Sequence, residues 1–191
     1  MEIDARGSEK SLSFCYLKID NIFCVSRLTR EGSGGMFVQC SKFVKEHRGN
    51  VDNIAIFGQE SNPGSWKMAK MNLAIRGLEG NLGEKSADSF TEDLHKTLRA
   101  DYIIANPPYN KKDFWAPSLE GDPRWIFGKP DTKNGNYAWL SLIYAKLAPK
   151  GKAAILMPNG ATTSNTVDDY KIRKEMIESG KVEAIIALPN K

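Results

Sequence analysis

The chain is poor in cysteine and histidine. Its 191 residues include three cysteines, Cys15, Cys24 and Cys40, and two histidines, His47 and His95. The cysteines are odd in number and share no CxxC spacing, which argues against a disulfide framework or a zinc site and indicates free thiols in a reducing cytoplasm. Both histidines lie in charged helical stretches, so we expect them to be exposed to solvent and assign them no chemistry.

Long apolar runs, repeats and low-complexity tracts are also missing. The apolar stretches at 14–17 and 22–25 are separated by polar residues. Neither is long enough to span a membrane, and no signal-peptide cleavage pattern follows them. Charge of one sign is not in large excess: the net charge is +4, which permits an anionic partner without requiring one. The chain is long enough for one globular domain with a substantial core, or for a fragment of a larger one.

What the sequence does contain, from residue 32 onward, is an alternation of strands and helices. The periodicity predicts strands at 54–57, 102–105, 153–157 and 182–188, a weaker strand at 85–88, and helices at 36–47, 64–76, 137–147 and 168–179. Asn62 and Pro63 predict the start of the second helix, and Gly77 its end. Nearly continuous apolar strands between helices predict a doubly wound α/β domain with a mostly parallel sheet. Whether residues 21–28 supply the first strand is left open by the pattern.

Three features downstream of the first thirty residues suit a nucleotide-like ligand. Gly32, Gly34 and Gly35 form a glycine-rich turn directly before a helix, where a ligand can approach the backbone, although plain strand–helix turns use the same residues. Glu60 follows the next strand and can accept hydrogen bonds from ribose hydroxyls, or can be an exposed acid or a helix cap. Asp88 could accept a hydrogen bond from an adenine amino group, or could be a turn residue or a cap.

The segment Asn106-Pro107-Pro108-Tyr109 leaves the carboxyl end of a predicted buried strand. Pro107 biases Asn106 toward an extended conformation, and its own carbonyl stays free to accept a hydrogen bond. The Asn106 side-chain carbonyl and the Pro107 carbonyl can thus hold both hydrogens of one amino group. Tyr109 adds a flat face on which a planar base could stack. The alternative is a rigid turn that merely ends the strand.

The long segment at 110–135 has no clear regular structure and interleaves cations with aromatic rings. Such loops are usually functional or mobile, and nucleic-acid surfaces use cations for phosphates and rings for unstacked bases. Acidic residues dilute the charge, and several of the rings can pack inward. The residues predicted to contact DNA are Lys111, Lys112, Trp115, Arg124 and Trp125.

Five stretches, in this order, carry a family resemblance: GSGGMFVQ, IFGQESNPGSWKMAKMNLAIRG, ADYIIANPPYN, GKAAILMPNG and IRKEMIESGKVEAIIALPN. Together they closely resemble the modification (M) subunit of type I restriction–modification systems, from about Gly32 to Asn190. That resemblance implies a Rossmann-like methyltransferase fold, S-adenosylmethionine as cofactor, and methylation of the N6 amino group of an adenine extruded from DNA. It also implies the specificity (S) and restriction (R) subunits of the same system as partners, and no membrane.

The resemblance assigns roles to particular positions. Gly32, Gly34 and Gly35 match the family's cofactor-binding glycine motif, Glu60 its ribose-binding acid and Asp88 its adenine-side acid. The four residues from Asn106 to Tyr109 match its catalytic Asn-Pro-Pro-aromatic motif.

The chain departs from the family pattern in two places. Leu28-Thr29-Arg30-Glu31 replaces the Asp-Pro pair that usually precedes the glycine turn and helps to hold the cofactor. The helical domain before the core and the elements after it are not recognisable, so we expect a fold that is incomplete at both ends, a truncated copy or a fragment. We therefore divide the chain into a divergent segment, residues 1–31, and a methyltransferase core, residues 32–191.

Other functions stay open on the sequence alone. The same Asn-Pro-Pro-Tyr geometry would serve a methyltransferase that acts on a protein glutamine or an RNA base. A non-catalytic remnant that binds a specificity subunit or DNA would tolerate the altered turn before Gly32. An unrelated dinucleotide-binding enzyme would use Glu60 on a ribose but has no use for Asn106 beside the crevice.

Overall fold

The computed structural model describes residues 21–26, 46 and 55–188. Its strands are β1 (Asn21–Ser26), β2 (Ala55–Gly58), β3 (Gly80–Asn81), β4 (Ala100–Asn106) and β5 (Leu147–Ile155), and its helices α1 (Pro63–Ile75), α2 (Asn136–Lys146) and α3 (Val167–Glu178). Two short 3-10 turns lie at Pro117–Leu119 and Asn159–Ala161. The predicted glycine turn, the predicted helix at 36–47 with His47, and the altered turn at Leu28–Glu31 lie outside the described residues.

The described strands form one sheet in the order β3-β2-β1-β4-β5, and all of its pairs are parallel. The chain builds one side of the sheet from β1 to β3 and then crosses over to β4, so the strand order reverses between β1 and β4. In open parallel sheets, ligands bind at the carboxyl ends of the strands next to such a reversal. Residues 21–26 supply the central strand, and the predicted division of the chain at residue 31 stays a prediction.

Both faces of the sheet are covered, which confirms the doubly wound architecture. Successive residues of a strand point to opposite faces, and Tyr102 and Ile103 of β4 pack into different clusters. Tyr102 packs with Ala69 and Leu73 of α1. Ile103 packs with Leu142 of α2 and a group of buried aromatic rings.

Helix α1 follows from local signals. The side chain of Asn62 accepts a hydrogen bond from the Ser65 N–H at 3.0 Å, and Pro63 occupies the first helical position. The helix ends before Gly77, whose φ of 63° is one that glycine adopts without steric cost. The predicted broad apolar face is only half realised, because Ala69 and Leu73 are buried whereas Met68, Met71 and Ile75 are exposed.

Two predicted strands are wrong. The weak strand at 85–88 is replaced by β3 at Gly80–Asn81, where a side chain on Gly80 would approach within 2.7 Å of Leu73 Cδ1. Glycine therefore lets this strand lie close against α1. The predicted last strand at 182–188 has no regular secondary structure, because none of the described strands pairs with it.

The predicted solvent exposure of His95 is also wrong. The side chain is buried, and its Nε2 lies 2.8 Å from the carbonyl oxygen of Gly58. The ring meets Phe57 edge-on, with 5.7 Å between ring centroids. His95 thus fastens the loop before β4 to the end of β2. None of the helices in the described ranges is long and apolar enough to cross a membrane.

Candidate active site at the carboxyl edge of the sheet

Asn106 is the last residue of β4 and lies beside Ser26, the last residue of β1. Directly after it, Pro107 is fully buried, and Pro108 and Tyr109 are partly buried. The Asn106 side chain is itself partly buried, and its amide forms no hydrogen bond with any side chain or backbone group of the described residues. The strand end therefore presents an uncommitted amide at the reversal of strand order, where the sequence predicted it.

Glu60 lies two residues beyond β2, at the same edge of the sheet. Its Oε1 accepts a hydrogen bond from the Asn62 N–H at 2.7 Å, and a longer one from the Ser61 hydroxyl. Burial raises the pKa of Glu60, an effect that these hydrogen bonds and the charge of Lys111 oppose. The carboxylate thus caps the turn before α1 through one oxygen, while Oε2 accepts no hydrogen bond from the described residues.

Asp88 does not end a strand; it lies in the loop between β3 and β4. Its Oδ1 accepts a hydrogen bond from the Phe90 N–H at 2.8 Å, and its Oδ2 lies 2.6 Å from Lys111 Nζ. The Ala87 N–H donates to the Glu60 backbone carbonyl at 2.9 Å, so the two predicted cofactor acids lie on adjoining segments. Asp88 is therefore a turn residue and an ion-pair partner at the predicted site.

Gln59 is a site-building residue that sequence reasoning missed. Its buried side chain donates to the carbonyls of Ala87 and Glu92, and it accepts from the Leu94 N–H. These three hydrogen bonds hold the loop that carries Asp88 against the end of β2. The available signal was an amide directly after an apolar strand, in a position where a polar group needs buried partners.

A cluster of three asparagines directly after the Asn106–Tyr109 segment was also missed. Asn110 has a φ of 53°, and its N–H donates to Asn136 Oδ1 at 2.9 Å. Asn110 Oδ1 accepts from Nδ2 of Asn136 at 3.0 Å and from Nδ2 of Asn134 at 3.2 Å. The start of α2 is thereby joined to the residue that follows Tyr109.

Two of the predicted DNA-contacting residues point into the protein. The Arg124 guanidinium donates to the Asp122 carboxylate and to the carbonyls of Ser89 and Phe90. Trp125 is buried, and its Nε1 donates to the Leu119 carbonyl at 2.7 Å. These contacts connect the long loop to the turn after Asp88.

The other three predicted contact residues lie nearer the surface. Lys111 pairs with Asp88, and both side chains are about three-tenths exposed, at 28% and 30%. Lys112 is exposed. Trp115 is partly buried and stacks on Trp125 with 6.0 Å between ring centroids, while Lys129 Nζ lies 5.2 Å from its ring centroid. The prediction that these residues contact DNA stays a prediction.

Comparison with known proteins identifies the family to which the chain belongs. The model of the N-6 DNA Methylase family matches residues 29–191. The chain is 47% identical over 158 residues to the type I restriction enzyme HindI methylase subunit of Haemophilus influenzae, covering 83% of this chain and 36% of that protein. It is 36% identical over 166 residues to the MjaIX methylase subunit of Methanocaldococcus jannaschii, covering 84% and 29%.

A solved structure has the same fold. The methyltransferase subunit of a type I restriction–modification system from Streptococcus thermophilus superposes with a TM-score of 0.70 at 26% identity, covering 85% of this chain and 34% of that one. The resemblance to modification subunits and the Rossmann-like fold are thus confirmed. The chain spans about a third of the length of the curated relatives that it matches.

Proposed function

Because the chain belongs to the N-6 DNA methylase family, we propose that it carries the catalytic core of an S-adenosylmethionine-dependent DNA adenine N6-methyltransferase. In this proposal it acts as the modification subunit of a type I restriction–modification system, or as a part of that subunit. The observation that carries the proposal is the amide of Asn106 at the end of β4, beside the reversal of strand order, which forms no hydrogen bond with the described residues.

The described residues fit the cofactor through the chemistry of their donors and acceptors. Just beyond the end of β2, Oε2 of Glu60 accepts no hydrogen bond from the described residues, which suits the ribose hydroxyls. Asp88 would accept from the adenine amino group, although both of its oxygens already accept a hydrogen bond. The predicted glycine motif, Gly32, Gly34 and Gly35, lies outside the described residues and would complete the cofactor site. When bound, the cofactor supplies a methyl group on a positively charged sulfur, which keeps the electron pair of the broken bond.

The chain's own contribution to the reaction is positioning. The side-chain carbonyl of Asn106 and the main-chain carbonyl of Pro107 accept the two hydrogens of the target amino group. Both hydrogen bonds draw the nitrogen lone pair out of conjugation with the base and leave it pointing away from the protein. The lone pair forms the new bond to carbon, and the nitrogen then releases one proton to water. No covalent enzyme intermediate is required.

DNA and the specificity and restriction subunits are the proposed partners. Lys112, which is exposed, and Trp115, which is partly buried, are the predicted contact residues that remain nearest the surface. They form the proposed DNA surface, with Lys111 at its inner edge. Arg124 and Trp125 are engaged inside the protein and are not part of this surface.

Two measurements on the full chain test the proposal. Calorimetric titration with S-adenosylmethionine should give saturable one-to-one binding; no binding by the folded chain would favour a non-catalytic scaffold. Methyl transfer to adenine-containing DNA should be abolished by Asn106→Ala, while cofactor affinity changes less than about twofold. Asn165→Ala, an exposed asparagine before α3, is the matched control. Equal loss of binding and transfer in Asn106→Ala would contradict the assigned role.

A further inference from the structure

The segment from Asn106 to Asn110 is held at both of its ends. Asn106 belongs to β4, which pairs with β1 on one side and β5 on the other. Asn110 is held by the side chain of Asn136 through two hydrogen bonds, one to its backbone N–H and one to its side-chain oxygen. Between these two ends lie two prolines, whose rings restrict φ. The direction in which the segment leaves the sheet is therefore set largely by its two anchors.

The second anchor, Asn136, is buried at the start of a buried helix. Asn136 is 6% exposed and begins α2, whose Ala138, Leu142 and Ile143 are almost completely buried. The adjacent Gly135 N–H donates to the Lys111 carbonyl at 2.9 Å. A side chain on Gly135 would approach that oxygen to 3.3 Å. The start of α2 thus holds two successive residues of the loop, Asn110 and Lys111, by hydrogen bonds.

The backbone conformation of Asn110 depends on these hydrogen bonds. Its φ of 53° lies in the left-handed region, where a residue other than glycine pays a cost of about 1 kcal/mol or more. Asparagine tolerates that region best when its short side chain finds hydrogen bonds. Here the Asn110 oxygen accepts from both Asn134 and Asn136.

We infer that Asn136 is a positioning residue for the proposed methyl transfer, since it holds the Asn110 backbone and thereby aims Asn106, Pro107 and Tyr109 at the target base. The inference rests on the proposed function. The predicted cofactor acids lie on other segments, which Gln59 and Arg124 hold in place. Asp88 also pairs with Lys111, the residue after Asn110, but Lys111 keeps its backbone hydrogen bond to Gly135 when the Asn136 side chain is removed. Loss of the Asn136 side chain should therefore lower the rate of transfer and leave cofactor binding intact.

The kinetic test uses the full chain with Asn136→Ala. We expect kcat for methyl transfer to fall about 10- to 100-fold, since a shift of about 1 Å in a reacting group can cost 10²-fold, while the Kd for S-adenosylmethionine changes less than twofold. Adding Asn110→Gly to Asn136→Ala should recover part of kcat, because glycine adopts the same φ without steric cost. Asn165→Ala is the control for a surface asparagine. An unchanged kcat in Asn136→Ala, or a parallel loss of kcat and affinity, overturns the inference.

A second readout needs no activity. Hydrogen exchange of the Asn110 amide should accelerate about tenfold or more in Asn136→Ala, because its acceptor is removed, whereas the Ile103 amide in the middle of β4 should keep its protection. A wild-type chain that binds cofactor but transfers no methyl group would refute the proposed function. An Asn110 amide that keeps its protection in the variant would overturn the positioning inference by itself. If Asn136→Ala does not fold, Asn134→Ala keeps both hydrogen bonds between Asn136 and Asn110 and removes the 3.2 Å bond to Asn110 Oδ1 together with the 3.0 Å bond that Asn134 Oδ1 accepts from the Asn136 N–H. It should give a smaller change in the same direction, and no change would overturn the inference.

Discussion

Replacing Arg124 by methionine tests whether this residue serves DNA or the fold. The guanidinium donates to Asp122 through Nε and Nη2, to the Ser89 carbonyl at 2.9 Å, and to the Phe90 carbonyl. The Arg124 and Asp122 side chains are 16% and 13% exposed. Methionine keeps the apolar stem and removes all of these donors at once.

The expected loss of stability follows from those partners. A hydrogen bond that involves a charged group contributes about 1.5–3 kcal/mol, and Arg124→Met removes such bonds to two carbonyls and one carboxylate. Water partly replaces the lost donors, so we expect the free energy of unfolding to fall by about 2–4 kcal/mol in total. The matched control is Lys129→Met, whose partner Glu120 lies in the same loop. Their side chains are 49% and 59% exposed, so this change should cost less than about 1 kcal/mol.

The difference in stability between wild type and Arg124→Met should also depend on pH. Burial alone would raise the pKa of Asp122, but the hydrogen bonds and charge of Arg124 outweigh it and hold the pKa below its ordinary value of 3.8. A carboxyl whose pKa is depressed by folding contributes stability above its unfolded pKa and loses that contribution as pH falls through its folded pKa. The gap between wild type and Arg124→Met should therefore be constant near neutral pH and narrow below the ordinary pKa.

Urea unfolding at several pH values measures this gap, and DNA binding at several salt concentrations provides the second readout. If Arg124→Met unfolds within about 0.5 kcal/mol of wild type, and its DNA affinity falls with a weaker salt dependence, then Arg124 contacts phosphate and our assignment is refuted.

Two further predictions concern the charged groups of Glu60 and Lys146. Burial raises the pKa of Glu60, so its ionisation opposes folding increasingly as pH rises through the folded pKa. Glu60→Gln should therefore raise the free energy of unfolding by less than about 1 kcal/mol at pH 7 and leave it unchanged well below the ordinary pKa. The same variant should weaken cofactor binding. An equal difference in stability between variant and wild type at both pH values would contradict this. Lys146 is buried, with its Nζ 2.6 Å from Asp93 Oδ2, so Lys146→Met should cost about 3–5 kcal/mol by stranding the carboxylate. Thermal or urea unfolding should show that Asp93→Leu in the same chain recovers most of the loss, and no recovery would argue against the stranded charge.

Much of the fold could be predicted from local signals. The cap at Asn62, the proline after it and Gly77 determined the bounds of α1 within about a residue, and the apolar run before Asn106 marked β4. The predicted helices near α2 and α3 were likewise confirmed within one residue at each end. The strands at 85–88 and 182–188 were wrong because a strand exists only where a neighbour pairs with it, and the pattern of a short segment does not reveal its neighbours.

The candidate site, like the fold, was only partly predictable from the sequence. The positions of Asn106 and Glu60 at this edge could be predicted because each lies at or just beyond the end of a strand that the apolar pattern marks, and the carboxyl ends of parallel strands share one edge. Their roles stay a prediction. The interior contacts of Arg124, Trp125 and His95 were not predicted, because these residue types occur both in exposed loops and in interiors where their polar groups have partners. Asn136 was missed because an asparagine at the start of a helix carries no local sign of a partner 26 residues away.

The sequence by itself thus determined the alternation of strands and helices, the ends of most helices, and which strand ends carry polar groups, since these depend on residues a few positions apart. Only the tertiary structure decided the strand order β3-β2-β1-β4-β5 and which long-range partner each polar group has. Three contacts form only after folding has brought segments distant in sequence together: Lys111 with Asp88, Arg124 with the carbonyls of Ser89 and Phe90, and Asn136 with Asn110. Their geometry depends on how the sheet and α2 pack together, and no local stretch of sequence contains that information.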